Sequence, residues 1–471
     1  MASTNVGSYF DSIKNNHAAL RQFFSFMPKG GDLHNHLTGS AYAETFFEMA
    51  IDKELFVNLE TGQLYNEKPS DSETLQLKKD MPELHKTRMW LIDKWSIRNF
   101  EPYKYPLGPD EYFFGKFGLL APLTTETKDL ARLAHELKMR ASRENVQYLE
   151  LIGIAPTIPT DCFLGDEYDS YDAQLKEFAA QKNEVDPNLL CTLYNKVINT
   201  WERNETMKQC VEEYYNTVVE IDRLSNDMKI FTDCEFTDPS SIVCRYQGYA
   251  VRSLEPLMVL AQLYVVAKAC KKGSPMVGCN LVAAENGEKS MSYYLLHMFM
   301  LGTMRNRYNT NIALHAGELT MGLVRPEHLT YHIHRALMYA LPNRIGHGVD
   351  LPFEICSAGI LTQMKKDNIP VEINLTSNEF ILGVKDDEHP VRLYTNNGVP
   401  VIISTDDPGI LRTSLTEQYT LLVKRYGYSY NEIKTMVYNS IKYSFLDGDT
   451  KNNLTSKLDS AFVEFEKAYK A

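Results

Sequence analysis

Short apolar runs recur along this chain, separated by stretches with a helical period. Read as strands, the runs are Asp32–Leu37, Val146–Ile152, Lys229–Cys234, Met276–Val282, Asn311–His315, Arg344–His347, Val371–Leu375 and Val401–Ser404. Between most of them lie segments of helical periodicity, such as Leu130–Arg143 and Leu254–Lys271. Strand and helix alternating eight times argue for a parallel sheet, and a closed barrel is the common eightfold solution. The expected fold is therefore α/β, a TIM (β/α)8 barrel with N-terminal helices and helical insertions after strands 1 and 2.

The spacing of the runs is uneven. About a hundred residues separate the first two, and a long region with an acidic, Tyr-rich stretch, Asp166–Asp172, separates the second from the third. Segments 51–115 and 155–228 thus read as insertions beside the barrel mouth. Residues 1–27, with Tyr9, Ile13, Leu20, Phe23 and Phe24, read as leading helices. Residues 451–471 carry Leu454, Leu458, Phe462, Phe465 and Tyr469, a helical stripe expected to pack on the core. No repeat, low-complexity tract or Pro/Gly linker divides the chain, so 1–471 reads as one domain.

Composition narrows the partners. Of 471 residues, 44% are hydrophobic and 23% charged, which is ordinary for a globular chain with a large core. The net charge of −12 repels phosphate backbones and anionic lipid, so neither nucleic acid nor membrane is an expected partner. No basic start with an apolar core of signal length is present, nor a run of membrane-spanning length. The eight cysteines form no Cys-x-x-Cys pair and read as reduced, buried thiols. The expected location is cytoplasmic, with a periplasmic or secreted one as the alternative if a leader has been removed.

Four motifs fall at strand ends. His34-Asn35-His36 places two imidazoles on one face of a strand, where they can grip one metal ion. His332-Ile333-His334 has the same spacing in a helical context, where positions two apart diverge, and reads as ordinary helix residues. His315-Ala316-Gly317-Glu318 offers a third imidazole and a nearby carboxylate, although Glu318 also reads as a first-turn residue of a helix. Arg344-Ile345-Gly346-His347-Gly348 leaves the His347 ring uncrowded between glycines. Ser404-Thr405-Asp406-Asp407-Pro408 sets two carboxylates side by side; a helix cap with Pro408 at the first helical position accounts for one of them. Catalytic groups of barrels come from the C-terminal ends of several strands. Three His and one Asp make a nitrogen–oxygen site suited to Zn²⁺ with a water in the open position.

Taken in order, Met27-Pro28-Lys29-Gly30, His34-x-His36, His315 to Glu318, Arg344 to Gly348, Thr376-Ser377-Asn378 and Thr405-Asp406-Asp407-Pro408 resemble the adenosine deaminase family of the amidohydrolase superfamily. The leading helices and the long segment after strand one are closest in layout to the growth-factor-related branch. The inserted stretch Ile51 to Glu111, however, lacks the cysteines that extracellular members of that branch use. The resemblance implies one Zn²⁺ per chain on His34, His36, His315 and Asp406. It implies that Glu318 protonates the purine N1, that His347 orients and helps to deprotonate the water on the metal, and that Asp407 contacts N7. Two positions depart from the family. Thr38 stands where an Asp often meets the ribose, and Ala283 stands where a Gly usually offers its backbone N–H to N3.

The implied reaction is zinc-dependent hydrolysis of adenosine and 2′-deoxyadenosine to the inosine nucleoside and ammonia. Thr38 leaves open another adenine-type purine: adenine, AMP or a modified adenosine. A non-catalytic binding protein would be expected to have lost at least one ligand or Glu318. The expected partner is a small purine nucleoside, with a homodimer suggested by analogy.

Overall fold

The computed structural model describes residues 5–70, 73–163, 166–181, 186–229 and 238–469. Two four-stranded parallel sheets form its centre. The first holds β1 (Lys29–His36), β2 (Val146–Ile152), β3 (Val243–Val251) and β4 (Met276–Val282). The second holds β5 (Ala313–Ala316), β6 (Arg344–His347), β7 (Val371–Ile373) and β8 (Val401–Ile403). Strand order in each sheet follows the chain, with Val146 opposite Lys29 and Ile345 opposite Val371. Single parallel bridges join the outer strands: Asn35 to Asp406 links the end of β1 to the residues after β8, and Cys279 to Ile312 links β4 to the residue before β5. All strand C-termini therefore lie on the same side.

Seven of the strands coincide with apolar runs in the sequence. The expected third, Lys229–Cys234, falls from residue 230 onward outside the described residues. The third parallel strand is instead β3, which the apolar pattern does not reveal. Arg245, Gln247 and Gly248 interrupt its run. Gln247 is nevertheless fully buried, because its amide donates to the Leu33 carbonyl and to Glu150 (2.9 Å) and accepts from Asn280.

Helices cover the strands. Pro256–Cys270 is apolar all round, which suits a helix buried on every side. It is packed between β3 and β4 on one side and the helices Glu205–Asp227 and Tyr294–Tyr308 on the other. The N-terminal helices Asn5–Ile13 and His17–Phe26 bury Phe10, Phe23 and Phe24. The last helix, Gly448–Lys467, buries Leu454, Leu458, Phe462 and Phe465, as its stripe predicts.

The segment after β1 is not wholly helical. Phe56–Asn58, Leu64–Tyr65 and Thr74–Gln76 pair as a small antiparallel sheet. Its first turn is set by the Asn58 side chain, which accepts from the N–H groups of Glu60 and Thr61, and by Gly62 at φ +80°. Helices Leu84–Lys94 and Pro109–Leu119 follow. No helix of the described residues is long and apolar enough to cross a membrane. The described cysteines are free, but Cys356 is exposed rather than buried, because it sits at the start of the surface helix Ser357–Asp367.

The interior between the sheets is polar. Arg344 of β6 is fully buried and donates to Glu150 of β2 and Glu372 of β7, with a third bond to the Tyr443 carbonyl (3.0 Å). Removing one member of such a group leaves buried charge without compensation, at a cost of about 3–5 kcal/mol. Arg344→Met should lower unfolding stability by that order in a denaturant titration. A loss below about 1 kcal/mol, the size of an exposed pair, would show that the guanidinium does not hold these carboxylates.

Candidate metal and catalytic site

His34 and His36 project from the end of β1, His315 from β5, and Asp406 from the turn after β8. The His315 Nε2 lies 3.0 Å from His34 Nε2 and 3.1 Å from His36 Nε2. Asp406 Oδ1 lies 3.4 Å and 3.2 Å from those same two nitrogens. Lone pairs turned on one another at such distances repel unless a cation sits among them. A tetrahedron with bonds of about 2.0–2.1 Å has edges of roughly 3.3 Å, so the four groups fit a metal of that coordination. They form a candidate metal cluster in which all four ligand atoms lie within 4.8 Å of one another.

The outward atoms of these groups are also held. His34 Nδ1–H donates to Glu372 Oε2 (2.8 Å), and His315 Nδ1–H to Asn280 Oδ1 (2.8 Å). The Ser377 hydroxyl donates to Asp406 Oδ2 (2.5 Å). Such partners fix the tautomer and the orientation of the ligands. Burial alone would raise the Glu372 carboxyl, but the Arg344 charge and the His34 bond hold it at about 2. Glu372, Asn280 and Glu150 are absent from the four strand-end motifs. Their only trace in the sequence is a polar residue inside an apolar strand.

Three further groups face the same space. Glu318 follows β5 across Gly317, and burial followed by the charges of Asp406 and Glu285 raises its carboxyl well above the usual range. Asp407 is raised in the same way, by burial and then by Asp406. Gly39 makes room for it, since a Cβ there would strike the Asp407 carboxylate. His347 ends β6, and its ring centroid is 4.9 Å from that of His34. His347, Asp406 and Ala283 all have positive φ (67°, 65° and 81°). That backbone region is costly for L side chains, by about 1–3 kcal/mol each, and three such residues gather at this site.

The loop bearing Glu318 rests on a dyad that its motif does not announce. Glu285 accepts the backbone N–H of Gly317 (3.2 Å) and of Glu318 (2.8 Å), and the Nδ1–H of His332 (2.6 Å). His332 does sit in a helix, His332–Arg335, as its context predicts. It is not an ordinary helix residue, however. It is fully buried and stacks on Tyr294 at 3.8 Å, because the Glu285 carboxylate needs an internal partner.

A cavity of 550 Å³ opens onto these groups, and Thr38, Ala283, His36, His315, Glu318, His347, Asp406 and Asp407 all line it. The helix Pro109–Leu119 supplies an aromatic wall of Phe113, Phe114 and Phe117, with Glu111 beside them. The aromatic run in this helix was the available signal for that wall. Among the described residues, no Lys or Arg lines the cavity. Lys29, near the first motif in sequence, is buried and donates to the carbonyls of Phe24 and Glu144. Arg412 pairs with Glu44 instead.

The parallel sheets thus carry a candidate metal cluster and neighbouring carboxyls at the C-terminal ends of their strands. A family model described as adenosine deaminase matches residues 236–461. A curated adenosine deaminase from Clostridium kluyveri is 29% identical over 165 residues, 35% of this chain and 44% of that enzyme, so the match spans less than half of the relative's length. Two solved structures share the fold over nearly the whole chain. An N6-methyl-AMP deaminase from Arabidopsis thaliana matches with TM-score 0.58 and 20% identity, covering 94% of this chain and 99% of that one. An amidohydrolase from Burkhoderia ambifaria with bound zinc matches with TM-score 0.60 and 17% identity, covering 96% and 95%. The chain is thus similar to amidohydrolases of the adenosine deaminase family, whose model matches a little under half of it.

If Asp406 is a ligand, Asp406→Ala should lose its metal on dialysis while the folded protein persists. Metal content by atomic emission checks this, and one full equivalent retained would refute the assignment.

Proposed function

We propose that the protein hydrolyses adenosine and 2′-deoxyadenosine to the corresponding inosine nucleoside and ammonia. In this reading a Zn²⁺ ion is held by His34, His36, His315 and Asp406, at the C-terminal rim of a closed (β/α)8 barrel. The bridges at both sheet edges support the closure, and the donor set of three imidazoles and one carboxylate supports zinc. Bound there, zinc would supply a nucleophilic oxygen at neutral pH by lowering the pKa of water from about 16 towards about 7.

The chain's own groups do the rest. Attack at C6 breaks the ring aromaticity and builds negative charge at N1. Glu318, whose carboxyl burial raises well above the usual range, donates to N1 and relieves that charge. N7 is an acceptor, so a carboxyl partner must carry a proton, and the upward shift of Asp407 favours that form. His347 orients the attacking oxygen, and the amino group leaves as ammonia after a second proton transfer. The observation that carries the reading is the convergence of three imidazoles and the Asp406 carboxylate, beside Glu318, Asp407 and His347, on one cavity. The upward shifts of Glu318 and Asp407 and the downward shift of Asp406 agree with acid and ligand roles respectively.

The cavity wall favours a neutral substrate. Among the described residues a phosphate would meet Glu111 and no lining Lys or Arg, which speaks against AMP. Thr38 supports a second reading, adenine or a modified adenosine without phosphate, because its hydroxyl offers the ribose less than a carboxylate would.

Incubation with adenosine, 2′-deoxyadenosine, adenine and AMP, followed by adenine absorbance and ammonia release, tests the proposal. Chelator-sensitive turnover of adenosine is expected, and turnover of adenine alone would rename the substrate. Glu318→Gln should keep its zinc and lose at least about 100-fold in kcat. Activity near wild type would remove Glu318 as the acid. Thr38→Asp should improve kcat/KM for adenosine over adenine by about tenfold, the value of one hydrogen bond to a charged group. An unchanged ratio would show that this position does not read the ribose.

A further inference from the structure

His347 is held by a chain of side chains that the metal site does not use. Its Nδ1 lies 3.0 Å from the Asn378 amide nitrogen, and the Asn378 amide oxygen lies 3.0 Å from His389 Nε2. His389 Nδ1 in turn accepts the backbone N–H of Val391 (3.2 Å). The three side chains are 0%, 0% and 3% exposed, so bulk water does not compete for these bonds. They join the end of β6 to the helix Leu375–Leu382 after β7 and to the turn before the helix Val391–Asn396.

The protons along this chain can be assigned from its anchored end. A backbone N–H can only donate, so His389 Nδ1 must be an acceptor. Burial also keeps the His389 ring neutral, its pKa lowered to about 3. Its single proton is therefore on Nε2, which donates to the Asn378 oxygen. A reversed amide would need Nε2 to accept as well, leaving the neutral ring no place for its proton. The Asn378 nitrogen thus donates to His347 Nδ1. A neutral His347 then carries its proton on Nε2, which is buried with no hydrogen-bond partner in the described protein. Glu318 Oε1 lies 3.7 Å from Nδ1, too far to compete for it.

We propose that Asn378 and His389 are positioning residues that fix His347 as the Nε2–H tautomer. His347 is then a hydrogen-bond donor to the attacking oxygen, and Nε2 has no lone pair with which to deprotonate it. The tautomer stands on the hydrogen bonds alone, and its consequence for catalysis rests on the deaminase reading above.

The test is the tautomer itself. In protein labelled with ¹⁵N-histidine, long-range nitrogen–proton correlations should show His347, assigned by its loss in His347→Gln, with a protonated Nε2 and a bare Nδ1. Asn378→Asp replaces the donor by a carboxylate that can only accept, so the Asp should draw the proton to Nδ1 and reverse the pattern. With adenosine, kcat should fall by about 100-fold with KM changed less than about threefold, as for a wrongly held tautomer. A protonated Nδ1 in the wild-type protein overturns the proposal, whether or not the variant folds. So does an Asn378→Asp variant with unchanged tautomer and kcat. If the tautomer is as stated but no purine is turned over, the functional reading fails and the relay stands.

Discussion

The guanidinium of Arg344 is the group on which the site depends. It lies fully buried between the two sheets, with a carboxylate on either side. Through Glu372 it reaches His34. Through Glu150, Gln247 and Asn280 it reaches His315. Two of the imidazoles are thus oriented by one buried cation whose own charge is balanced inside the fold. A buried ion group of this kind is weak as a source of stability. Its value here is direction: each ring presents Nε2 to the common centre because Nδ1 is already committed.

That arrangement explains what could be read from the sequence. Strands whose inward residues are apolar, such as Val401–Ile403, are visible as runs, and the motifs at their ends hold the four residues of the candidate metal cluster. β3 is not visible, because Gln247 and Arg245 occupy positions where a pattern of apolar burial expects Val or Ile. The same polar interior that supports the candidate ligands hides the strand that carries it. The small antiparallel sheet in 51–115 is missed for a different reason: strands of two or three residues, held by an Asn58 turn, have no period long enough to register. His332 shows a third limit. Its helix is legible from spacing, but its partner Glu285 is 47 residues away, and only the fold brings them together.

Electrostatics divides the carboxyls of the site into two kinds without any change of residue type. Asp406 faces His34 and His36, and their bonds outweigh its burial. Asp407, its chain neighbour, is raised by burial and by the charge of Asp406, which together outweigh the opposing charge of His34. The left-handed backbone at Asp406 makes this separation possible, because it turns two consecutive side chains into different surroundings. Strain in the main chain and contrast in proton affinity are therefore one feature seen twice.

The cavity adds the last constraint. Its floor is polar and fixed by the network beneath it, whereas its wall is the aromatic face of Pro109–Leu119, a helix from the segment after β1. An aromatic wall can stack a purine and exclude water, which strengthens every electrostatic interaction at the floor. Among the described residues, no Lys or Arg lines the cavity to meet a phosphate. The chemistry of the floor is shared by any adenine-type ring, so selection among such substrates falls to the few groups that could meet what is attached at N9 of the ring. Thr38 and Glu111 are among them, and neither belongs to the metal cluster. Substrate choice in this protein can therefore change through the wall and Thr38 while the floor, locked to Arg344, stays as it is.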